Sequence, residues 1–257
     1  MTRTMSPPVP RYNVLGVGIS TLTLEQTRDL VVTLHGRTRQ GYICLGTAHG
    51  LTEARRDPEL RKIYNEALVT TPDGMPLVWL GPRGVERVYG PDLMLAVCDA
   101  GRSCGLRHFL YGGVPGVAEE LQRRLVERFP GVNIVGTFTP PFRELNADEV
   151  AALQAAVART RPDVIWIGLS SPKQERFMAS HWRTLEAGVL VGVGAAFDFH
   201  SGRVRQAPRW IQRSGLEWFF RLCTEPTRLG RRYLTTTPLF ALRALAQRTG
   251  LKKYTLE

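Results

Sequence analysis

Acidic residues almost disappear from the last quarter of this 257-residue chain. From His200 to Glu257 there are 12 Lys/Arg and 3 Asp/Glu, while residues 1–199 carry 22 and 20. Most of the formal net charge of +11 is therefore concentrated at one end. A uniformly neutral surface is excluded, and a polyanionic partner is indicated: nucleic acid, an acidic membrane surface or a phosphorylated substrate. Cysteine is scarce. The four (Cys44, Cys98, Cys104, Cys223) form no CxxC pair and no zinc-like spacing with histidine, which argues against a zinc site and leaves buried, reduced thiols of a cytoplasmic protein as the expectation. The five histidines show no HExxH spacing, and no Asp-x-Asp is present to hold a divalent metal on a diphosphate. Neither GxGxxG nor GxxxxGK[ST] occurs, so a dinucleotide fingerprint and a P-loop are both unsupported. No apolar run approaches the roughly 20 residues of a membrane span, so membrane contact is expected to be peripheral. The first eleven residues hold three prolines and no apolar core, which does not read as a signal peptide.

What is present is a regular alternation. Short runs rich in Val, Ile and Leu fall at 13–18, 42–46, 108–111, 133–137, 164–169 and 189–194, apolar on both faces. Such strands belong in a sheet covered on both sides, usually parallel. Helical patterns lie between them at 24–37, 58–67, 92–104, 114–129, 146–160 and 173–185. Asn146 with Glu149 three residues on makes a capping box, and Pro115 suits a first turn. The predicted fold is α/β, a Rossmann-like three-layer sandwich with a mostly parallel sheet, plus a basic helical C-terminal appendage. The expected division is a flexible N-terminus (1–11), an α/β core (12–202) and an amphipathic appendage (203–257). In the appendage, 208–222 reads as one helix, Pro226 starts another, Thr235-Thr236-Thr237-Pro238 breaks it, and 239–248 forms the last.

Ligands of open α/β sheets bind at the carboxyl ends of the strands, which directs attention to a few loops. In Thr70-Thr71-Pro72-Asp73-Gly74-Met75-Pro76, Asp73 is either an ordinary turn residue or a carboxylate held at a loop lip as a general base. In Gly168-Leu169-Ser170-Ser171-Pro172-Lys173-Gln174-Glu175, a strand feeds a helix start. Ser171 could cap that helix in a box with Gln174, and Lys173 and Gln174 could donate to a phosphate or sugar. In Gly192-Val193-Gly194-Ala195-Ala196-Phe197-Asp198, small residues allow close approach of a ligand, and Asp198 is either a cap or a partner for sugar hydroxyls. Arg221, Arg228, Arg231 and Arg232 lie among Trp210, Trp218, Phe219, Phe220 and Tyr233. Single arginines are usually solvated charge, but guanidinium groups clamp phosphates in pairs of bonds, and clustered aromatics suit a membrane interface.

Taken together these blocks resemble the bacterial glycosyltransferases of the WecG/TagA/CpsF type. The resemblance rests on Thr71–Pro76, Glu86-Arg87-Val88-Tyr89-Gly90-Pro91-Asp92-Leu93, Phe109-Leu110-Tyr111-Gly112-Gly113, the Pro172-Lys173-Gln174-Glu175 block and nearly all of 192–233. It implies transfer of a sugar, N-acetylmannosamine or another hexose, from a UDP-sugar to a polyprenyl-diphosphate-linked saccharide, with inversion, on the cytoplasmic face of the membrane. It implies Asp73 as the base. Thr47, His49, Gly74, Arg87, Lys173, Gln174 and Asp198 are expected around the substrates, and Arg221, Arg228 and Arg231 on diphosphate. No metal cofactor is implied, since guanidinium groups can stabilise a departing UDP. The appendage is implied to dock on the membrane, and a homo-oligomer is compatible with the pattern. The chain departs from the family pattern at His49, where Asn is usual; His49 takes the same contact or marks a different sugar. The rival readings from composition are a nucleic-acid-binding protein, favoured by the basic charge but accompanied by no such motif, and a non-catalytic nucleotide-sugar-binding protein.

Overall fold

The structure is a computed structural model that describes residues 9–256, apart from the side chains of Arg228, Arg231, Arg232 and Tyr233. Most of the expected N-terminal stretch 1–11 lies outside the described residues. Six strands, β3 (Gly41–Gly46), β4 (Val69–Pro72), β5 (Arg107–Gly112), β6 (Asn133–Phe138), β7 (Val164–Gly168) and β8 (Val189–Gly192), form one sheet in the order β4-β3-β8-β7-β5-β6. Every pairing in it is parallel.

Alternation along the strands divides the interior into two layers. Tyr42, Cys44, Phe109, Tyr111, Ile165, Ile167 and Leu190 belong to one apolar cluster. Their sequence neighbours Ile43, Leu45, Leu110, Val164, Trp166, Val189 and Val191 belong to the other. This period of two is what a sheet buried on both faces requires. The first face is covered by α2 (Ala48–Ala54), α3 (Pro58–Glu66), α7 (Ala147–Thr160) and α8 (Lys173–His181); the second by α1 (Leu24–Thr33), α5 (Gly90–Ala100), α6 (Val117–Arg128) and α9 (Ala196–His200). Asn146 caps α7 in the expected box with Glu149. Each large side chain enclosed this way contributes about 1.5–3 kcal/mol.

Four sequence expectations are corrected. Residues 13–18 are the bend of an antiparallel hairpin, β1 (Arg11–Val14) and β2 (Val17–Ser20), outside the main sheet. Leu15 (φ 54°) and Gly16 (φ 88°) form its two-residue turn, as the twist of a tight hairpin demands. Strand β4 was not anticipated, because its centre is Thr70-Thr71; Thr70 satisfies its hydroxyl on the Tyr64 carbonyl (2.7 Å). The stretch 208–222 is two helices, α10 (Arg209–Ser214) and α11 (Glu217–Thr224), separated by Gly215 at φ 79°. Finally, α12 (Pro226–Arg248) runs through Pro238. The missing N–H there is outweighed by burial of Thr236, Phe240 and Ala244 on either side.

The C-terminal segment is fastened back onto the hairpin. Gln247 accepts from the Leu15 N–H (2.8 Å) and donates to the Asn13 carbonyl (2.8 Å), and Asn13 Nδ2 donates to the Tyr254 carbonyl (2.6 Å). The remaining helix, α4 (Met75–Leu80), follows β4 directly. The cysteines are free, as expected, but only Cys44 and Cys98 are buried; Cys104 is half-buried and Cys223 exposed.

Candidate active site

Connections leave β3 and β8, which are neighbours, on opposite faces: α2 follows β3 on one side, α9 follows β8 on the other. A crevice opens between two such connections at the carboxyl end of the sheet. Here it is a cleft of about 300 Å³, within the usual range for small-molecule sites. Its floor comes from the loops after β3, β4, β7 and β8, and its far wall from α10, α11 and the middle of α12.

Asp73 follows the last residue of β4. Its N–H donates to the Gly46 carbonyl (3.0 Å), and its Oδ1 accepts from the Gly90 N–H (3.1 Å) at the start of α5. Gly90 lets the start of α5 pack closely on β3: a Cβ there would stand 2.5 Å from Leu45 Cδ1. Desolvation by the surrounding loops pushes the Asp73 carboxyl up to about 6, with Glu217 acting in the same direction and Arg87, the Gly90 N–H and Arg221 opposing. A carboxylate with a pKa just below neutrality is ionised when needed and still basic enough to take a proton.

The second polar centre is on α8. Gln174 is almost wholly buried; its Nε2 donates to Glu175 Oε1 (3.2 Å), and its Oε1 has no hydrogen-bond partner among the described residues. Gly192 and Gly194 give the amide room, since Cβ atoms there would lie 3.2 and 3.4 Å from it. Glu175, fully buried, also accepts from Ser171 Oγ (2.5 Å) and from the Tyr64 hydroxyl (3.1 Å). Burial raises its pKa against those bonds. The expected Ser171–Gln174 capping box is therefore not formed. Pro172 occupies the cap position, the Gln174 N–H bonds to the Ser170 carbonyl, and the Ser171 hydroxyl goes to Glu175.

Thr47, His49, Gly74, Arg87, Asp198 and Arg221 also line the cleft. Thr47 caps α2 by accepting from the Gly50 N–H (3.1 Å). Asp198, on α9, has Arg203 at 3.5 Å. Arg221 lies against the Phe199 ring and pairs with Glu225 at 3.6 Å. Lys173 is not among the lining residues; its Nζ rests over the Phe142 ring. The side chains of Arg228 and Arg231 lie outside the described residues. Among the described residues, no group of three or more His, Cys, Asp and Glu is arranged to hold a metal ion.

Sequence reasoning assigned no role to several residues found here. Tyr89, Gln212 and Glu217 line the cleft, and so does Trp218, which the sequence assigned to a membrane interface instead. Glu217 bonds both Arg87 Nη2 (2.6 Å) and the Tyr89 hydroxyl (2.7 Å). One signal pointed to it: it is one of three acids in a segment carrying 12 Lys/Arg.

A carboxylate of raised pKa, a buried amide with a spare acceptor, a second carboxylate and a guanidinium face one crevice. That arrangement can hold a polyhydroxylated, anionic ligand and remove a proton beside it. Residues 12–254 match the Glycosyl transferase WecG/TagA/CpsF family. The chain belongs to this family. It is a glycosyltransferase of cell-surface polysaccharide synthesis, whose substrates are a sugar donor and an acceptor. Among the described residues, no helix is long and apolar enough to cross a membrane.

Proposed function

We propose that this glycosyltransferase moves a hexose, N-acetylmannosamine or a relative, from a UDP-sugar to a hydroxyl of a polyprenyl-diphosphate-linked saccharide, with inversion. The observation that carries the reading is the Asp73 carboxylate at the cleft floor, held by the Gly90 N–H and raised to about 6. In a single displacement, Asp73 takes the proton of the acceptor hydroxyl as its oxygen bonds to the anomeric carbon. The bond from that carbon to the UDP oxygen breaks, and UDP leaves with the electron pair. Arg221, with Arg228 and Arg231 from the same segment, is assigned to the diphosphate charge. Gln174 and Asp198 are assigned to hydroxyl or amide groups of the substrates.

The acceptor's lipid places the reaction at a membrane surface, and the cleft wall supports that. Trp210, Leu216 and Phe219 are exposed on the segment that closes the cleft, as are Leu234, Leu242 and Leu245 on α12, all within the most basic part of the chain. Apolar side chains interleaved with cations suit the interface of an anionic bilayer. The test is a panel of UDP-sugars with a polyprenyl-diphosphate-linked acceptor, scored by product mass and anomeric configuration. Product of retained configuration would sink the single displacement. Failure of every UDP-sugar, with tight oligonucleotide binding instead, would sink the donor class.

A further inference from the structure

The base and the residue that shapes its surroundings come from opposite ends of the chain. Asp73 belongs to the core; Glu217 opens α11, 130 residues beyond Arg87. Between them lies the Arg87 guanidinium, whose Nε donates to the Asp73 carbonyl, Nη2 to Glu217 Oε2 (2.6 Å) and Nη1 to the Gln212 carbonyl (3.5 Å). Its plane lies on the Tyr89 ring, 3.9 Å from the centroid. The Tyr89 hydroxyl in turn donates to Glu217 Oε1 (2.7 Å). Both oxygens of Glu217 are thus engaged by the core. The Arg87 and Glu217 side chains are only 16% and 13% exposed, so the pair is shielded from the solvent that weakens surface ion pairs.

This geometry defines a latch. Arg87 is turned toward protein acceptors and is not left free for a diphosphate. Glu217 is spent on Arg87 and Tyr89 and is not a substrate ligand. One turn further along α11, four residues on, Arg221 enters the cleft. Seating Glu217 therefore fixes the depth of Arg221 and divides the Arg87 charge between two carboxylates.

We infer that Glu217 is a positioning residue that couples seating of the C-terminal segment to the electrostatic state of the Asp73 base. With the segment seated, Glu217 draws the Arg87 charge and adds a second negative charge beside Asp73. With it unseated, Arg87 is left to Asp73 alone. In the seated state the charged groups facing Asp73 are Arg87 from the loop before α5 and Glu217 and Arg221 from α11, and the neutral Gly90 N–H at the start of α5 bonds to it. The base is at full strength only when the wall that carries the phosphate-binding arginine is in place. This inference rests on the proposed role of Asp73.

The test uses the full-length protein with a carbon-13 label on the aspartate carboxyl carbons. The Asp73 signal is assigned by its absence in Asp73→Asn and followed through a pH titration in the native protein, Glu217→Gln and Glu217→Asp. The native midpoint is expected near 6. In Glu217→Gln it should fall by about one pH unit or more, because a neutral amide releases Arg87 to the base. In Glu217→Asp, which keeps the charge, it should stay near the native value. The acid limb of kcat/KM for transfer should move with the carboxyl midpoint. An unmoved Asp73 midpoint in folded Glu217→Gln overturns the inference, as does an equal loss of kcat in both variants with the limb unchanged. Transfer that survives in Asp73→Asn is a different failure: it removes the base assignment while leaving the measured coupling standing.

Discussion

Replacing Asp73 by Asn should abolish catalysis and at the same time stabilise the protein. Asn keeps the size and an oxygen that can accept from the Gly90 N–H, and removes only the charge. The Asp73 carboxyl has a folded pKa near 6 against an ordinary 3.8. Its protonated form is thus the one the folded state prefers. Stability associated with the group is fully present below about 3.8 and is lost as pH rises through about 6. The gap of about two pH units corresponds to about 3 kcal/mol above pH 6, and partial access of the side chain to the cleft makes that an upper value. Asn carries none of this penalty. For a chain of this size, a gain of about 1–3 kcal/mol raises the melting temperature by roughly 2–10 °C. Paired thermal melts near pH 8 and near pH 4 separate this effect from ordinary packing, because the advantage of Asn should shrink at the acid end. Transfer should fall by about 100-fold to 10,000-fold, the usual contribution of a positioned base. An Asn variant that melts lower than the native protein at pH 8 would refute the desolvation argument. One that retains transfer would refute the base.

His108 is buried, stacked on Trp166, and its Nδ1 accepts the indole N–H (3.1 Å). Burial lowers its pKa to about 4, so the unfolded chain takes up a proton first, and stability should decline from about pH 6.5 to about pH 4 by roughly 3 kcal/mol. An imidazole signal for His108 that titrates near 6.5 in the folded protein would contradict this. Gly50→Ala places a Cβ 2.3 Å from the Tyr64 hydroxyl, and with it threatens the Tyr64–Glu175 bond. A loss of about 1–3 kcal/mol in urea unfolding is expected, and an unchanged midpoint would mean that the ring moves aside freely. Substituting Trp210 and Phe219 together by Ser should weaken binding to anionic vesicles severalfold while leaving the fold intact. Raised salt should weaken the native protein's binding too; binding indifferent to both changes would place the membrane contact elsewhere.

The main sheet was legible because most of its strands are apolar on both faces, the pattern typical of a parallel sheet covered on both sides. Ile165-Trp166-Ile167 and Val189-Leu190-Val191 announce themselves this way. Strand β4 was not legible, since its polar centre is paid for by a bond from Thr70 to the Tyr64 carbonyl that no local pattern contains. The break at Gly215 and the continuity through Pro238 were misread for a related reason. Propensity is a local quantity, whereas the packing of Phe240 and Ala244 against the body of the protein is not. The loops that form the cleft could be named from strand ends and small residues. Their internal wiring could not: Ser171 serves Glu175 and not a cap, and Lys173 turns to Phe142 and not into the cleft.

Strand order explains why the site needs two distant parts of the chain. The crevice between the β3 and β8 connections supplies Asp73, Gln174 and Asp198, which are acceptors or neutral, while the described cationic side chain that comes in from the opposite wall is Arg221. A core built this way can present a base and recognise hydroxyls, but an anionic leaving group beside Asp73 and Asp198 would be repelled without added positive charge. The C-terminal segment brings that charge, and it is anchored at separated points: Arg209 on Asp92 (2.5 Å), Glu217 on Arg87 and Tyr89, and Gln247 on the hairpin. Two of those anchors, at Asp92 and at Arg87, lie within the stretch that also positions Gly90 under the base. With Asp73 as the proposed base and Arg221 as the proposed diphosphate partner, whatever displaces the segment disturbs both groups together, and a partly open site is expected to be poor at both halves of the reaction.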